Sequence, residues 1–462
     1  MGKRIRGFMK SQENQLRRKI QSIRGALAFA AIALLAPARI SPEENGTESA
    51  RDSIDGNLVV TEISFTGLTR TRESFLKKEY EKHLGKTVSE TNLHDIENDL
   101  QSEGLFETFS VSFRDIDGQS AGIVVEVTEK MTFIPLPFAM VSSGGFSAGA
   151  IVMDTNAFGV KDMFMVGGFY SSSSIAGIAS VARPPRNDGT PGLSAFASVS
   201  KNEPKVVGLD NKKALEYRNL SGSAKLSVAE KITEKNMLSV SAGFSTISAD
   251  ERDGKPAASV DSAKIGSLSA SWNFLMSDWN GWFSSATKIS AEFSASKYFG
   301  LDDESELSGI VADANMQLGF QKPFISERLR AVGKIAGDFV LPQRHKSAHI
   351  SEYKGGSAVG CTILPDKFLT DKIIGASIGI EFALKKYSFG LSSLYANYEA
   401  VLTKDFSLGT DTDFSMDEFC HGPNAGIRLY LSKIAFPAVA LGMSYNVTKK
   451  YGQFTAALGI SM

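Results

Sequence analysis

From about residue 131 to the end of the chain, apolar residues alternate one for one with small or polar residues, in segment after segment. The closing stretch QFTAALGISM is the plainest case. Phe454, Ala456, Leu458, Ile460 and Met462 fall on one side, and Thr455, Ala457, Gly459 and Ser461 on the other. Successive side chains of a strand point to opposite faces, so this period specifies strands with one face in an apolar medium and one that tolerates water. Helical spacing does not fit it.

Eleven candidate strands run from FIPLPFAMVSS to RLRAVGKIAGDF, and five from IIGASIGIEFAL to QFTAALGISM. Between them lies one long segment, LPQRHKSAHISEYKGGSAVGCTILPDKFLTDK. The total is about sixteen antiparallel strands, an even number that suits a bacterial outer-membrane barrel. The second face decides between barrel and soluble sandwich. In GSAKLSVAEKI, Ala224, Leu226 and Val228 oppose Ser223, Lys225 and Ser227; in NAGIRLYLS, Ala425, Ile427, Leu429 and Leu431 oppose Gly426, Arg428, Tyr430 and Ser432. Charges on that face imply a wet lumen, because they are expensive in a dry core. Closure also removes the edges that so large a sheet would have to protect. Trp272, Trp279, Trp282 and Phe283, around MSDWNGW, fit an aromatic girdle or simple turn packing equally well.

Composition narrows the function. Fifty basic residues against fifty-one acidic ones give no general electrostatic case for nucleic acid. After the first forty residues no apolar run reaches the ~20 residues that a spanning helix needs. Cys361 and Cys420 are too few for a disulfide framework or a four-cysteine metal site; they form one optional bridge or remain two thiols. His345, His349 and His421 lie in or near loops, without a nucleophile elbow or metal-ligand spacing, and read as solvated. GGFSAG at 144–149 lacks the following helix and lysine of a phosphate loop and reads as a turn between strands. No enzyme and no cofactor is expected.

The N-terminus reads as an export signal, residues 1–38. Eight basic residues precede ALAFAAIALL, and Ala36-Pro37-Ala38 supplies the small-residue spacing for cleavage after Ala38; an organellar transit peptide is the alternative. Residues 39–56 are a polar, aperiodic leader.

Residues 57–130 have a different pattern. NLVVTEISFTG gives a strand with Val59, Ile63 and Phe65 inward. Two helices follow, one capped by Thr71 with Phe75, Leu76, Tyr80 and Leu84 as its stripe, the other capped by Ser89 with Leu93, Ile96 and Leu100. Two alternating strands joined at Asp117-Gly118 close the unit. The β-α-α-β-β order, with GLF at 104–106 leading into the second strand, resembles a POTRA (polypeptide-transport-associated) domain.

A POTRA-like module at 57–130 followed by a barrel at 131–462 resembles the BamA-like or bacterial surface antigen family, the outer-membrane assembly and secretion superfamily. DTNAFGVKD at 154–162 is similar to the family's N-L-F-G turn. The long segment precedes five strands, as the family's sixth loop does. The loop motif departs from the family's R-G-F/Y. Gly355 and Gly356 stand at the glycine pair, but Val359 precedes Gly360 and Cys361 replaces the aromatic; Lys354-Gly355 is the substitute on offer. Asp366, Lys367, Asp371 and Lys372 read as solvated loop charges. The family usually ends on an aromatic residue, where this chain has Met462.

The resemblance implies a protein of the outer membrane, with its POTRA domain in the periplasm. Its clients would be unfolded outer-membrane or secreted proteins, received at the POTRA strand edge and at a seam between 133–142 and 452–462. Periplasmic accessory proteins and the lipid bilayer are the other implied partners. Phe454, Leu458, Ile460 and Met462 would then face lipid and form the closing strand and assembly signal. A diverged channel or surface antigen without assembly activity is the alternative.

Overall fold

The computed structural model describes residues 54–186, 189–254, 260–279, 282–299, 310–341, 349–387, 390–404, 418–431 and 437–458. The segment read as a signal peptide, the leader up to residue 53, His345, Ile460 and Met462 lie outside them.

The N-terminal module contains β1 (Val59–Thr66), α1 (Glu73–Tyr80), α2 (Leu93–Glu103), β2 (Phe106–Asp115) and β3 (Ser120–Glu129). Its sheet order is β1-β3-β2, with β3 parallel to β1 and antiparallel to β2. A register shift between Val60 and Glu62 turns Val60 into the core in place of the expected Val59. Below the sheet, Leu76, Ile96 and Leu100 are fully buried against Ile123 and Val125, as their helical spacing demands. Neither expected helix cap forms. Arg72 occupies the first N-cap with no side-chain bond, and the second helix is capped by Asn92, whose Oδ1 accepts from the His94 N–H at 3.1 Å. Thr71 is engaged elsewhere: its hydroxyl accepts from Asn156 Nδ2 at 2.9 Å.

The rest of the chain is one closed sheet. Its strands are β4 (Phe133–Ser142), β5 (Gly145–Asp154), β6 (Met163–Ser171), β7 (Ser174–Arg183), β8 (Gly192–Asn202), the short β9 (Lys205–Val207), β10 (Lys213–Thr233), β11 (Asn236–Gly254), β12 (Ala263–Trp279), β13 (Ser284–Phe299), β14 (Ile310–Phe324), β15 (Ser326–Leu341), β16 (Lys372–Tyr387), β17 (Gly390–Thr403), β18 (Glu418–Leu431), β19 (Pro437–Asn446) and β20 (Tyr451–Leu458). β8 pairs directly with β10 and β20 pairs with β4, so β9 is a side pairing and sixteen antiparallel strands close the barrel. The chain enters β4 two residues past the module. The turns at 155–162 and 325 therefore lie at the module end, and the connections at 143–144, 203–212 and 349–371 at the far end.

Faces sort as the alternation requires. Leu226, Val240, Leu268, Met316, Ile378 and Met443 are each at least 60% exposed on the outer surface, an apolar belt far beyond what a soluble surface tolerates. No helix among the described residues is long and apolar enough to cross a membrane; the strands are the spanning elements. In β20, Phe454 is exposed, Ala456 and Leu458 share its face, and Ala457 is buried on the other.

Candidate functional site: the lumenal loop and the barrel seam

The two halves of the inner wall differ. On β8 and β10 to β13 it is covered by hydroxyls facing one another across the ladder, Ser198 to Ser223, Ser200 to Ser221 and Ser239 to Ser271, each pair at 2.7 Å. That half also carries the pair Lys225 and Glu292, 3.7 Å apart, and on β14 to β20 the inward positions carry further large polar and charged side chains, among them Arg330, Glu381 and Glu399.

The loop re-enters the lumen from the far end through a 3-10 turn at Ile350–Glu352 and the single-turn helix α3 (Gly356–Val359). Val359, Cys361, Ile363, Leu364 and Phe368 pack with Ala336 of β15, Ile373 of β16, Val401 of β17 and Cys420 of β18. Gly360 ends α3 at φ +71°, and a Cβ there would come within 2.5 Å of Lys334 Nζ, so the position takes only glycine without strain. The motif positions Gly355, Gly356, Val359, Gly360 and Cys361 are thus brought together as one docked turn. Cys361 and Cys420 are both free and buried, and burial pushes the Cys361 thiol up to about 12, so it is inert.

Among the described residues no arginine holds this turn. Glu399, inward on β17 and 1% exposed, accepts the Thr362 N–H at 2.6 Å, the Ile363 N–H at 3.2 Å, and Asn424 Nδ2 at 2.9 Å. On the other side of the turn, Ser444 and Gln453 donate to Thr362 O at 2.8 and 3.0 Å. Asn446 and Tyr451 donate to Ile363 O, each at 3.1 Å. Gln453 also reaches Leu364 O at 2.6 Å. A carboxylate on the wall thus holds the loop inside the lumen through main-chain amides. Lys354 does not substitute: its Nζ lies 3.9 Å from Asp313 of β14, on another part of the wall.

Several loop residues read as solvated are not. His349 is fully buried, with Nε2 on Asp261 O and Nδ1 on Ser351 Oγ, both at 2.9 Å. Asp371 and Lys372 are 6% and 2% exposed where the loop returns to β16. Asp366 is exposed but engaged, its Oδ2 accepting the Gly144 N–H in the β4–β5 turn at 2.9 Å. Individual charges in a long polar segment carry no sign that a lumen will enclose them, so these contacts have no sequence signal.

Toward the module end the inner wall carries a second cluster. Glu381 of β16, fully buried, meets Arg330 at 2.7 Å and Arg428 at 3.2 Å, and accepts from Ser393 at 2.6 Å and Tyr430 at 2.8 Å. Of the aromatics that fitted a girdle or turn packing equally well, Phe283 is buried, with the Arg330 guanidinium 4.2 Å over its ring. Trp272 lies 37% exposed on the outer face.

The seam joins the last strand to the first: among the described residues β20 and β4 pair from Thr455↔Ser142 to Leu458↔Ala139, Leu458 being the last residue described. The DTNAFGVKD turn links barrel and module. Asp154 accepts Arg70 at 2.7 Å, Asn156 donates to Thr71, Lys161 pairs with Glu103 at 2.6 Å, and the Arg72 N–H reaches Gly159 O at 2.8 Å.

No family model matches the chain, and no curated protein is similar to it in sequence. Solved structures are similar in fold. CdiB from Escherichia coli matches with a TM-score of 0.62 at 14% identity, over 88% of this chain and 77% of that one. BamA from Haemophilus ducreyi lacking POTRA domains 1–3 matches with 0.58 at 16% identity, over 87% and 85%. CdiB from Acinetobacter baumannii matches with 0.58 at 11% identity, over 88% and 74%. The fold of this chain is therefore that of the BamA-like and CdiB barrels.

Proposed function

We propose that this is an outer-membrane protein that receives extended polypeptide clients and passes them into or across the membrane at its barrel seam. The observation that carries the reading is the architecture: a closed barrel whose last strand pairs with its first, next to a module with an open strand edge. In that module, β1 is covered on its outer side by 85–88, through Gly85 N to Val60 O, Val60 N to Lys86 O and Val88 N to Leu58 O. The outer edge of β2 has no strand partner among the described residues.

On this reading the module is a POTRA domain on the periplasmic side. An extended client adds to the β2 edge by main-chain hydrogen bonds, is handed to the seam, and moves on as its apolar side chains enter lipid. The energy comes from pairing and transfer, with no cofactor, nucleotide or catalytic side chain. Unfolded outer-membrane or secreted proteins are the client class, with periplasmic accessory proteins as further partners. Depletion in the native organism, with other outer-membrane barrels and secreted proteins quantified, tests it: their levels fall if the reading is right, and normal levels overturn it.

The second reading, a channel or surface antigen without assembly activity, is favoured by the missing loop arginine and by the hydroxyl-lined wall. Steady conductance of the purified protein in planar bilayers, together with normal barrel levels on depletion, would establish it.

A further inference from the structure

On the outer surface, one wall of the barrel changes character along its height. The outward residues of β10, from Leu220 through Gly222, Ala224 and Leu226 to Val228, rise about 26 Å along the strand. Tilted as barrel strands are, that is roughly 20 Å of height, within the ~25 Å apolar band of an outer-membrane barrel. At the module end the next outward residue, Glu230, is exposed. At the far end the apolar face gives way to lysines. Lys201 follows Val199 on β8, Lys264 lies beyond Gly266 on β12, and Lys297 follows Ala295 on β13, all three exposed.

The ladder gathers these lysines around one depression. Gly222 pairs with Val199 of β8 and with Thr246 of β11, Thr246 pairs with Lys264, and Leu220 pairs with Lys201. Between them lies a hollow of about 390 Å³, lined by Val199, Leu220, Gly222, Thr246, Ser248 and Lys264. Glycine keeps its floor open: a Cβ at 222 would meet Thr246 Oγ1 at 3.6 Å, an ordinary contact, so the space is free for a guest. The charge around the hollow is uncompensated. At the same end Lys205, Lys213 and Arg218 pair with Glu216 at 3.2 Å, Asp253 at 2.6 Å and Glu203 at 3.0 Å. Among the described residues Lys201, Lys264 and Lys297 have no carboxylate partner; Lys297 lies over the Phe299 ring at 5.6 Å.

We propose that this hollow seats one lipid of the leaflet away from the module, its phosphate-bearing headgroup on Lys264 between Lys201 and Lys297, and an acyl chain over Gly222 and Ala224. Charge complementarity selects the occupant. Lysine stems lie along apolar surface while their ammonium groups reach the headgroup level, where a lipid phosphate is the anion at hand. The hydroxyls of Thr246 and Ser248 line the same space and can donate to phosphate oxygens. A free anion would leave the apolar floor uncovered, and a lipid without phosphate would leave the lysines unpaired. The site lies on the wall away from the β4–β20 closure and requires only that the barrel spans a bilayer, so it stands apart from the client reading.

Native mass spectrometry of the full chain in detergent, each variant first checked for the heat-modifiable folded form, tests the proposal. The probes are dioleoyl phosphatidic acid, dioleoylglycerol, which has the same chains and no phosphate, and inorganic phosphate. Phosphatidic acid is expected to be retained more strongly than dioleoylglycerol. Lys264→Gln is expected to weaken its binding about fivefold, the factor one surface lysine supplies toward anionic lipid, and Lys201→Gln/Lys264→Gln/Lys297→Gln to weaken it further. Gly222→Leu fills the floor with every lysine in place and is expected to weaken it as well. Lys213→Gln removes a cation already paired with Asp253 and is expected to leave binding unchanged. Equal retention of dioleoylglycerol, an equal loss in Lys213→Gln, or unchanged binding in the triple variant or in Gly222→Leu overturns the proposal. Displacement of the lipid by inorganic phosphate at matched concentration overturns the lipid as occupant.

Discussion

Glu399 shows how one buried carboxylate can hold a docked loop. Its buried carboxylate gathers two loop amides and Asn424, so removing the acceptor takes the partner from every donor at once. Glu399→Ala is expected to undock the loop at a cost of roughly 2–4 kcal/mol, read as protease cleavage near residues 355–366 that the wild type resists. Glu129 makes a similar bridge in the module. Burial would raise its pKa, but bonds from Thr69, Thr71 and the Arg70 and Thr71 amides outweigh this and hold it near about 2. A depressed carboxylate stabilises the fold above its ordinary value of 4.5 and loses that contribution as pH falls toward about 2. Acid unfolding of the module is therefore expected to move to higher pH in Glu129→Gln, followed by circular dichroism from pH 5 to 2.

Among elements, α1 is the one whose burial was most legible. Leu76 and Tyr80 lie one helical turn apart, and both are under 3% exposed. Leu76→Ala is expected to cost about 2–5 kcal/mol, through lost transfer energy and a cavity, and to make the module melt before the barrel. Two melting transitions by calorimetry would verify it. The caps were less legible. Thr71 and Ser89 are sound N-cap residues by type, but a hydroxyl goes to its best local partner, and for Thr71 that partner is Asn156 of the barrel, 85 residues away. The β1 register failed similarly, since a bulge leaves no mark in an apolar run such as Leu58-Val59-Val60.

For the whole molecule, the closed barrel sets the resistance to heat. Glu381 pairs with two arginines inside the lumen, so Glu381→Ala removes the carboxylate that Arg330 and Arg428 share, at roughly 3–5 kcal/mol. The change from the fast-migrating folded form to the slow unfolded form on gels is expected at a lower temperature than in the wild type. An unchanged transition would mean that water relieves these charges.

What the sequence determined by itself is the architecture. A two-residue period over some 330 residues, with charges on one face, is satisfied by strands around a wet lumen inside an apolar medium, and strand number and loop order follow from counting. Everything that depends on which side chains meet across the lumen was left to the tertiary structure. Glu399 on Thr362 and Ile363, Asp366 on Gly144, Arg330 and Arg428 on Glu381 are joined by closure of the sheet over separations of 36 to 222 residues. The physical reason is that alternation encodes which face a residue takes, whereas contact across the lumen depends on barrel shear and loop path, which no local period records.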